Sequence, residues 1–600
     1  VRRASDSYLA PPFPSARGLL HTVTGPSPTA ARAAQSVGGV LACLLLMMAG
    51  RRLFGPAAGL AAGLLLAVSP AVIFHETLLA KESLGTLLVA LILWGAASAL
   101  RRPGRLFTWI VLGLALGAFA LVRENGLLWI GLIFAWIVAF PRGAITWRQR
   151  AVEMTLCLVG LGLVLAPVLI RNHHVGGEWV LTTAQFGPNF YIGTSRDADG
   201  TYAALVTEHG TPVFEASDAR SIAEAKAGRD LTPLEVSQWW TRRTLDDIRS
   251  DPLRWLTLLL QKGFLTWSVI EISDSEDQYT AADRSPTLRR LMLIGRFDLL
   301  ASLGIAGLVA LGGALWRRHW LLPGLLIVYT LSVAIFYLFA RYRLPLVPLL
   351  ALPGGAGVVR LGTLVRRRRR GHLACALAAG AVVFAVAQPA VVKGWFPDWP
   401  DLSADRMRCV TQFNLGIKRW KFGATLEEIE ACLSASTSFD PEYASAWYYW
   451  GLVLVDHERL EPAVEKFRRA AELDPGGADI RVELGEALLL LRRPAEAVGP
   501  LREAVAAAPD DPDARHLLGR SLVILGDPQA AIPHLRRAVE LDPEFVLPRR
   551  LLAITLEKEG DFRGARAEFL ELLKLLPPDS PEAMVLRDKL GPLPSLLKKE

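Results

Sequence analysis

Hydrophobic and polar positions change their pattern once along this chain, near residue 400. From about residue 35 to 392, long apolar runs alternate with short clusters of arginine; beyond 405, Ala, Leu, Glu, Arg and Pro mix as in a water-exposed helical array. A hydrocarbon core about 30 Å thick takes roughly 20 residues of apolar helix to cross. Runs of that kind predict ten transmembrane helices, over 32–50, 55–74, 83–100, 106–122, 126–140, 153–170, 292–315, 319–339, 345–364 and 373–392. The segment 254–272 carries Lys262 and Glu271. It is expected to lie in the membrane interface as an amphipathic helix rather than to cross.

The second pattern is a repeat. Pro441, Pro475, Pro509, Pro543 and Pro577 recur every 34 residues, as do Gly451, Gly485 and Gly519 with Ala553 in the fourth place. Ala463, Ala497, Ala531 and Ala565 keep the step, and so do Phe467, Leu501, Leu535 and Phe569. This is the tetratricopeptide period: small residues let paired helices approach, a large apolar one fills the groove, and proline separates the units. A looser unit around Gly416 and Ile429 caps the array. Trp447, Tyr448, Tyr449 and Trp450 cluster in the first full repeat, where an exposed pair would be a binding candidate.

Composition then adds topology. The chain is 52% hydrophobic and 21% charged, with a net charge of +8. The excess sits in short loops and in the arginine run 366–370, so it argues for membrane orientation and against nucleic acid. Arg51/Arg52, Arg101/Arg102/Arg105, Arg142/Arg148/Arg150, Arg317/Arg318 and Arg360 with the run 366–370 fall in alternate loops, which assigns those loops to the cytoplasm. The loops 75–82, 123–125, 171–290 and 341–345 then face outside, and so do the repeats. The expectation is a multi-pass protein of a bacterial inner membrane with a periplasmic repeat domain. The first span runs inward, so residues 1–30 lie outside as well, which predicts a further span upstream of Val1.

The fold class is therefore all-α, a polytopic transmembrane bundle followed by an α-solenoid. Its parts are a partial outer loop at 1–30, a transmembrane domain at 31–392, a linker at 393–404, a repeat domain at 405–590 and a tail at 591–600. Among the five cysteines, Cys43, Cys157 and Cys375 lie in apolar spans as small core residues. Cys409 and Cys432 fall in the first hairpin of the array, where they pair if the compartment is oxidising and are otherwise free thiols.

The apolar spans have clean middles, and their charges gather at the outer ends: Glu76, Lys81, Glu82, Arg123, Glu124, Arg171, Arg341 and Arg343. Charge next to hydrocarbon is costly, so a layer of acids and bases points to one shared cavity. A carboxylate there suits a general base acting on an acceptor hydroxyl or amine, and arginines suit a phosphate. The bland alternative is that interfacial arginines snorkel and pair with neighbouring acids. Glu76 and Glu82 are six residues apart and share a site only if the turn before 83–100 is irregular. No His or Cys cluster has metal-ligand spacing, and His173 and His174 read as loop residues. No divalent metal or other cofactor is indicated.

Four stretches in this order resemble the dolichyl- or polyprenyl-phosphate-sugar-dependent glycosyltransferases of the GT-C fold, which include protein-mannosyltransferase-like and aminoarabinose-transferase-like enzymes. They are PAVIFHETLLAKESL (70–84), LVRENGLL (121–128), RNHHVGGEWVLTTAQFGPNFYIGTSRDADGTY (171–202) and FARYRLPLVPLL (339–350). The resemblance covers roughly residues 8–362. It implies sugar transfer from a polyprenyl-phosphate donor on the outer leaflet, with Glu76 and Glu82 as acidic candidates. It implies that Lys81, Arg123, Arg171, Arg341 and Arg343 serve the donor phosphate, and that Asn189, Tyr191 and Gly193 belong to an outer loop over the site. Asp197, Asp199 and Gly200 fit a turn equally well. The family's main catalytic Asp lies in its first outer loop. Only DSYLAPPFP (6–14) resembles a later part of that loop, with Asp6 standing near the position. The competing reading is a membrane-anchored repeat scaffold without catalytic activity. In either reading the partners are the lipid bilayer and a protein or acceptor in the repeat groove.

Overall fold

The computed structural model describes residues 27–101, 105–139, 146–196, 198–202, 205, 215–274, 276–313, 319–396, 399 and 402–590. Asp6, the 6–14 stretch and Asp197 lie outside the described residues. Every regular element among the described residues is a helix. The chain divides into two compact units, Val1–Arg408 and Cys409–Glu600.

Among the described residues of the first unit, five helices are long and apolar enough to cross a membrane: Pro28–Phe54, Glu82–Arg101, Trp147–Gly176, Pro286–Leu311 and Leu346–Arg366. The expected span at 55–74 is broken instead. Pro56–Ala67 and Pro70–Thr77 meet at a bend of 52°, because Pro70 has no N–H to continue the ladder and pushes Ser69 out of the helical region. Counted together they make a sixth span. The other four expected spans are shorter apolar helices, Leu106–Val122, Gly126–Ala139, Leu321–Ala334 and Arg370–Val386. At 14 residues, Gly126–Ala139 and Leu321–Ala334 rise only about 21 Å. All ten expected segments are thus apolar helices among the described residues, five or six of them long enough for a full crossing and four shorter.

Helix ends are set locally. Thr146 and Gln149 form a reciprocal capping box at the start of Trp147–Gly176, and Gly177 closes that helix in the left-handed region. His173 and His174 are in the last turn of this helix rather than in a loop, with His173 stacked on Trp179 at 4.0 Å. The helices Leu106–Val122 and Trp147–Gly176 cross where Gly113 faces the Cys157 carbonyl and Gly160 faces that of Ile110, so a Cβ at either position would collide with backbone. Trp109, Trp129, Trp136, Phe119 and Tyr329 are fully buried in the core, with Phe119 stacked on Trp129 at 4.8 Å.

The two ends of the bundle differ. At one end Arg101 Nε donates to the Arg52 carbonyl at 2.7 Å. At the other, Gln35 Nε2 on the first helix lies 3.0 Å from the carbonyls of Leu78 and Ala80. The expected interfacial helix runs over Pro252–Trp267 and ends before Glu271. It exposes Leu253, Leu256 and Leu260 and buries Lys262, whose Nζ donates to Gly193 O at 2.7 Å and Ile335 O at 3.1 Å.

The second unit is a stack of helix pairs: Ala444–Asp456 with Leu460–Leu473, Ala478–Leu490 with Pro494–Ala507, Pro512–Ile524 with Pro528–Leu541, and Val546–Lys558 with Phe562–Leu575. The periodic residues hold it together. Phe467, Leu501, Leu535 and Phe569 are buried, each under its own small partner column, and a Cβ on Gly485 would stand 2.5 Å from Leu501 Cδ2. Phe413 and Ile417 pack with Ile429 and Leu433 as the first, looser layer. Tyr448 and Tyr449 are core, whereas Trp447 and Trp450 are half-buried and stack at 5.8 Å with Lys466 Nζ 4.1 Å from the Trp450 ring. Cys409 and Cys432 are free thiols, Cys409 against the Ser436 hydroxyl and Cys432 beside Arg419.

Phe467→Ala removes a fully buried ring and is expected to destabilise the repeat unit by about 3–5 kcal/mol. Calorimetry on the full chain should show one lowered transition, and an unchanged thermogram would mean that the ring is not holding the array.

Candidate functional site

Three chain segments that end at one face of the bundle build the site. Helix Pro70–Thr77 stops at Leu78, residues 78–81 are irregular, and the next helix starts at Glu82. Glu82 is 3% exposed. It faces Arg123, which caps the C-terminus of Leu106–Val122, where a cation also suits the helix dipole. Arg123 Nη2 donates to Glu82 Oε1 at 2.9 Å and to the Arg341 carbonyl at 2.9 Å, and its guanidinium lies 4.7 Å from the Tyr342 ring centre.

Four-residue helix Ala340–Arg343 supplies the third part, and its side chains diverge. Arg341 Nη1 pairs with Asp274 Oδ2 at 2.6 Å. Arg343 is 1% exposed; it pairs with Glu271 at 2.7 Å, donates to the carbonyls of Ser268 and Ile270, and stands 4.3 Å from the Phe297 ring centre. With its donors so engaged, Arg343 braces the 268–271 segment and does not face a phosphate site. That corrects its expected role. The Tyr342 ring lies against the guanidinium groups of Arg123, at 4.7 Å, and Arg341, at 5.3 Å, and Tyr329 Oη donates to the Tyr342 carbonyl at 2.9 Å.

Two cavities flank this layer. The first, about 130 Å³, is lined by Lys81, Arg123, Glu124, Asn189, Tyr337 and Tyr342 among others. The second, about 70 Å³, lies against His75, Glu82, Asp274, Asp277, Gln278 and Arg341. Among the described residues, Lys81 makes no hydrogen bond or ion pair. Burial and the nearby Arg123 guanidinium pull its ammonium down from 10.5 to about 8. Glu124 accepts from the Thr183 hydroxyl, and burial pushes its carboxyl up. Asp274 is likewise raised by burial, against the pull of Arg341. Burial also raises Glu215 to about 7 and lowers Lys262 to about 7.

The structure thus brings Lys81, Glu82, Arg123 and Arg341 together. It separates Glu76 from them: although the 78–81 turn is irregular, the Glu76 carboxylate lies against Gly39 of the first helix. Arg171 bonds to the Asn172 amide oxygen at 3.3 Å and lines neither cavity. Asn189 accepts from Tyr337 Oη at 2.8 Å at the cavity wall, whereas Tyr191, on the other side of the short Phe186–Ile192 helix, packs on Trp240 at 4.6 Å. Asp199 accepts from Thr201 N and Oγ1, both at 2.7 Å, beside Gly200 at φ 97°, and so forms a turn. Glu271 reads from sequence only as a charge in the interfacial segment, and Asp274 sits in a polar stretch without periodicity, so the sequence does not mark either as a site residue. Of the cavity tyrosines, Tyr342 is the middle residue of the RYR motif and Tyr337 lies four residues before Arg341. Among the described residues no three His, Cys, Asp or Glu converge on one metal position.

Breaking the central pair should be costly. Glu82→Gln leaves Arg123 buried without its carboxylate and is expected to destabilise the first unit by about 3–5 kcal/mol, with the double variant Glu82→Gln/Arg123→Met recovering part of that loss. Thermal unfolding of the four proteins in detergent completes the cycle, and additive losses would argue against the pairing.

Comparison with known proteins gives the same two parts. Residues 10–170 match the family described as dolichyl-phosphate-mannose-protein mannosyltransferase, a stretch that contains Glu76, Lys81, Glu82 and Arg123. Residues 427–478, 448–512 and 522–587 match tetratricopeptide repeat families. No curated protein matches the chain. Similar solved structures include YrrB, described as a TPR protein with an unusual peptide-binding site, at 22% identity over 30% of this chain and 90% of its own, with a TM-score of 0.28. A MamA structure from Desulfovibrio magneticus RS-1 is 24% identical over 28% and 94%, with a TM-score of 0.27. The Pseudomonas aeruginosa pilF structure is 20% identical over 31% and 85%, with a TM-score of 0.28. Residues 10–170 are thus similar to the dolichyl-phosphate-mannose-protein mannosyltransferase family, and the stretch 427–587 is similar to tetratricopeptide repeats.

Proposed function

We propose that the membrane unit transfers a sugar from a polyprenyl-phosphate donor to an acceptor on the outer face of a bacterial inner membrane, and that the repeats bind a protein partner or the acceptor in the periplasm. The observation that carries the donor reading is Lys81. Its ammonium has no partner among the described residues and lines a cavity beside Arg123, walled by the aromatic rings of Tyr337, Tyr342 and Phe336. Two cations aimed at one space suit a phosphate, and aromatic walls suit an apolar chain or a sugar face. Arg123 is held in place by Glu82 and Arg341 O, so it meets the phosphate without reorganising. A departing polyprenyl phosphate gains negative charge at the bridging oxygen, where these cations oppose it.

Lys81 also gives a pH signature. Its folded-state value, about 8, lies below the ordinary 10.5. The folded protein therefore releases this proton before the unfolded chain does. Burial of the ammonium costs stability at neutral pH, and that cost is relieved as pH rises from about 8 towards 10.5. Donor binding runs the other way, because the phosphate needs the charged form. With labelled polyprenyl-phosphate mannose, kcat/KM should fall as pH rises through about 8, and Lys81→Arg should remove that limb. An unchanged profile in Lys81→Arg would count against the donor site. Lys81→Ala should lower kcat/KM by about 10–100-fold, the loss of one charge-assisted hydrogen bond.

The orientation has its own test. Alkaline phosphatase fused after residue 405 is expected to be active in cells, and activity from a cytoplasm-only reporter at that point would overturn the topology.

A further inference from the structure

The second cavity has a chemistry that the donor does not use. Two buried polar atoms on side chains that line it have no hydrogen-bond partner among the described residues: Oε1 of Gln278, a residue 6% exposed, and Nε of Arg341. A buried polar atom left unpaired costs about 1–3 kcal/mol, and both atoms belong to side chains in this cavity's wall. An amide offers both a donor and an acceptor whichever way it is turned.

Charge decides which groups. Three carboxylates around the cavity are each matched by an arginine: Glu82 by Arg123, Asp274 by Arg341 and Glu271 by Arg343. Two more are not. Asp277 is buried and accepts only from Thr280 N and Oγ1, at 2.7 and 2.8 Å, and Glu276 stands exposed at the rim without a cation among the described residues. His75 adds an acceptor: its Nδ1 lies 2.8 Å from the Ala71 carbonyl, which can only accept, so the neutral ring leaves Nε2 with a free lone pair. The cavity therefore favours a cation that donates hydrogen bonds, and at about 70 Å³ it has room for roughly five water-sized groups.

We propose that this cavity is the acceptor subsite and takes an amino alcohol, its ammonium held by Asp277, Glu276 and the Gln278 amide and its attacking hydroxyl between Arg341 Nε and Asp274. The proposal rests on the reading that the neighbouring cavity holds the donor phosphate. In the transfer, the hydroxyl oxygen bonds to the anomeric carbon as that carbon's bond to the phosphate oxygen breaks. The hydroxyl proton passes to the Asp274 carboxylate, and polyprenyl phosphate leaves with the bonding pair. Burial raises the affinity of Asp274 for that proton, which suits a base.

The test uses the full chain in phosphatidylcholine nanodiscs, with ethanolamine as the probe and ethylene glycol as its uncharged counterpart. Ethanolamine is expected to raise the melting temperature and to bind about tenfold or more tightly than ethylene glycol, as an ammonium held by carboxylates should. Gln278→Leu and, at the exposed rim, Glu276→Gln should each weaken that binding severalfold. Equal shifts with both probes, or an ethanolamine shift untouched by either variant, would overturn the proposal. The donor reading is measured apart, as polyprenyl phosphate released from labelled polyprenyl-phosphate mannose by wild type and Lys81→Ala without ethanolamine. No difference there, with ethanolamine binding intact, overturns the donor reading alone and leaves the cationic site supported.

Discussion

A buried ion pair governs the membrane unit. Glu82 opens a helix at a position almost closed to solvent, and an isolated carboxylate there would be far too costly to keep charged. Arg123 makes it tolerable and, with its remaining donor capacity, grips the carbonyl of Arg341. Three segments distant in sequence are thereby fixed at one end of the bundle: the start of one helix, the end of the next, and the short RYR turn. Each cavity has one member of this pair in its wall, so the same interaction that holds the helices also separates a cationic space from an acidic one.

The surroundings are arranged to keep that pair dry and still. The break at Pro70 lets the chain leave its helix early, and the irregular turn that follows turns Lys81 towards one cavity while Glu82 stays buried. Behind them, Gly113 and Gly160 allow two helices to cross backbone to backbone. On the other flank, Lys262 pins the carbonyls of Gly193 and Ile335, the two backbones that carry Asn189 and Tyr337 to the first cavity wall. Arg343 does the same for the 268–271 segment. Several charges thus serve as struts, and the two arginines of the RYR turn, alike in sequence, have different work.

The repeat unit depends on a simpler constraint. Small residues at fixed spacing admit one large apolar side chain per layer, so stability is added layer by layer and no single charge is decisive. The stacked pair Trp447 and Trp450 with Lys466 is the feature that this spacing does not account for.

By itself, the sequence determined the two-part architecture, because a 34-residue period and long apolar runs are local patterns set by the geometry of one helix and its neighbour. It also determined that charges gather at one set of helix ends, and Lys81, Glu82, Arg123 and Arg341 could be named from it. It did not determine which of those charges meet. Glu76 and Glu82 read as equals, yet one lies against Gly39 and the other, beyond the irregular 78–81 stretch, pairs with Arg123. Arg341 and Arg343 read as equals too, yet a four-residue helix sends them to opposite partners. Asp274 and Gln278 carry no periodic signal, and Glu271 reads only as a charge in an interfacial segment, until the fold brings this stretch against the RYR turn. Pairings of that kind span up to 218 residues of chain, and only tertiary packing, which decides what each buried charge must find, could settle them.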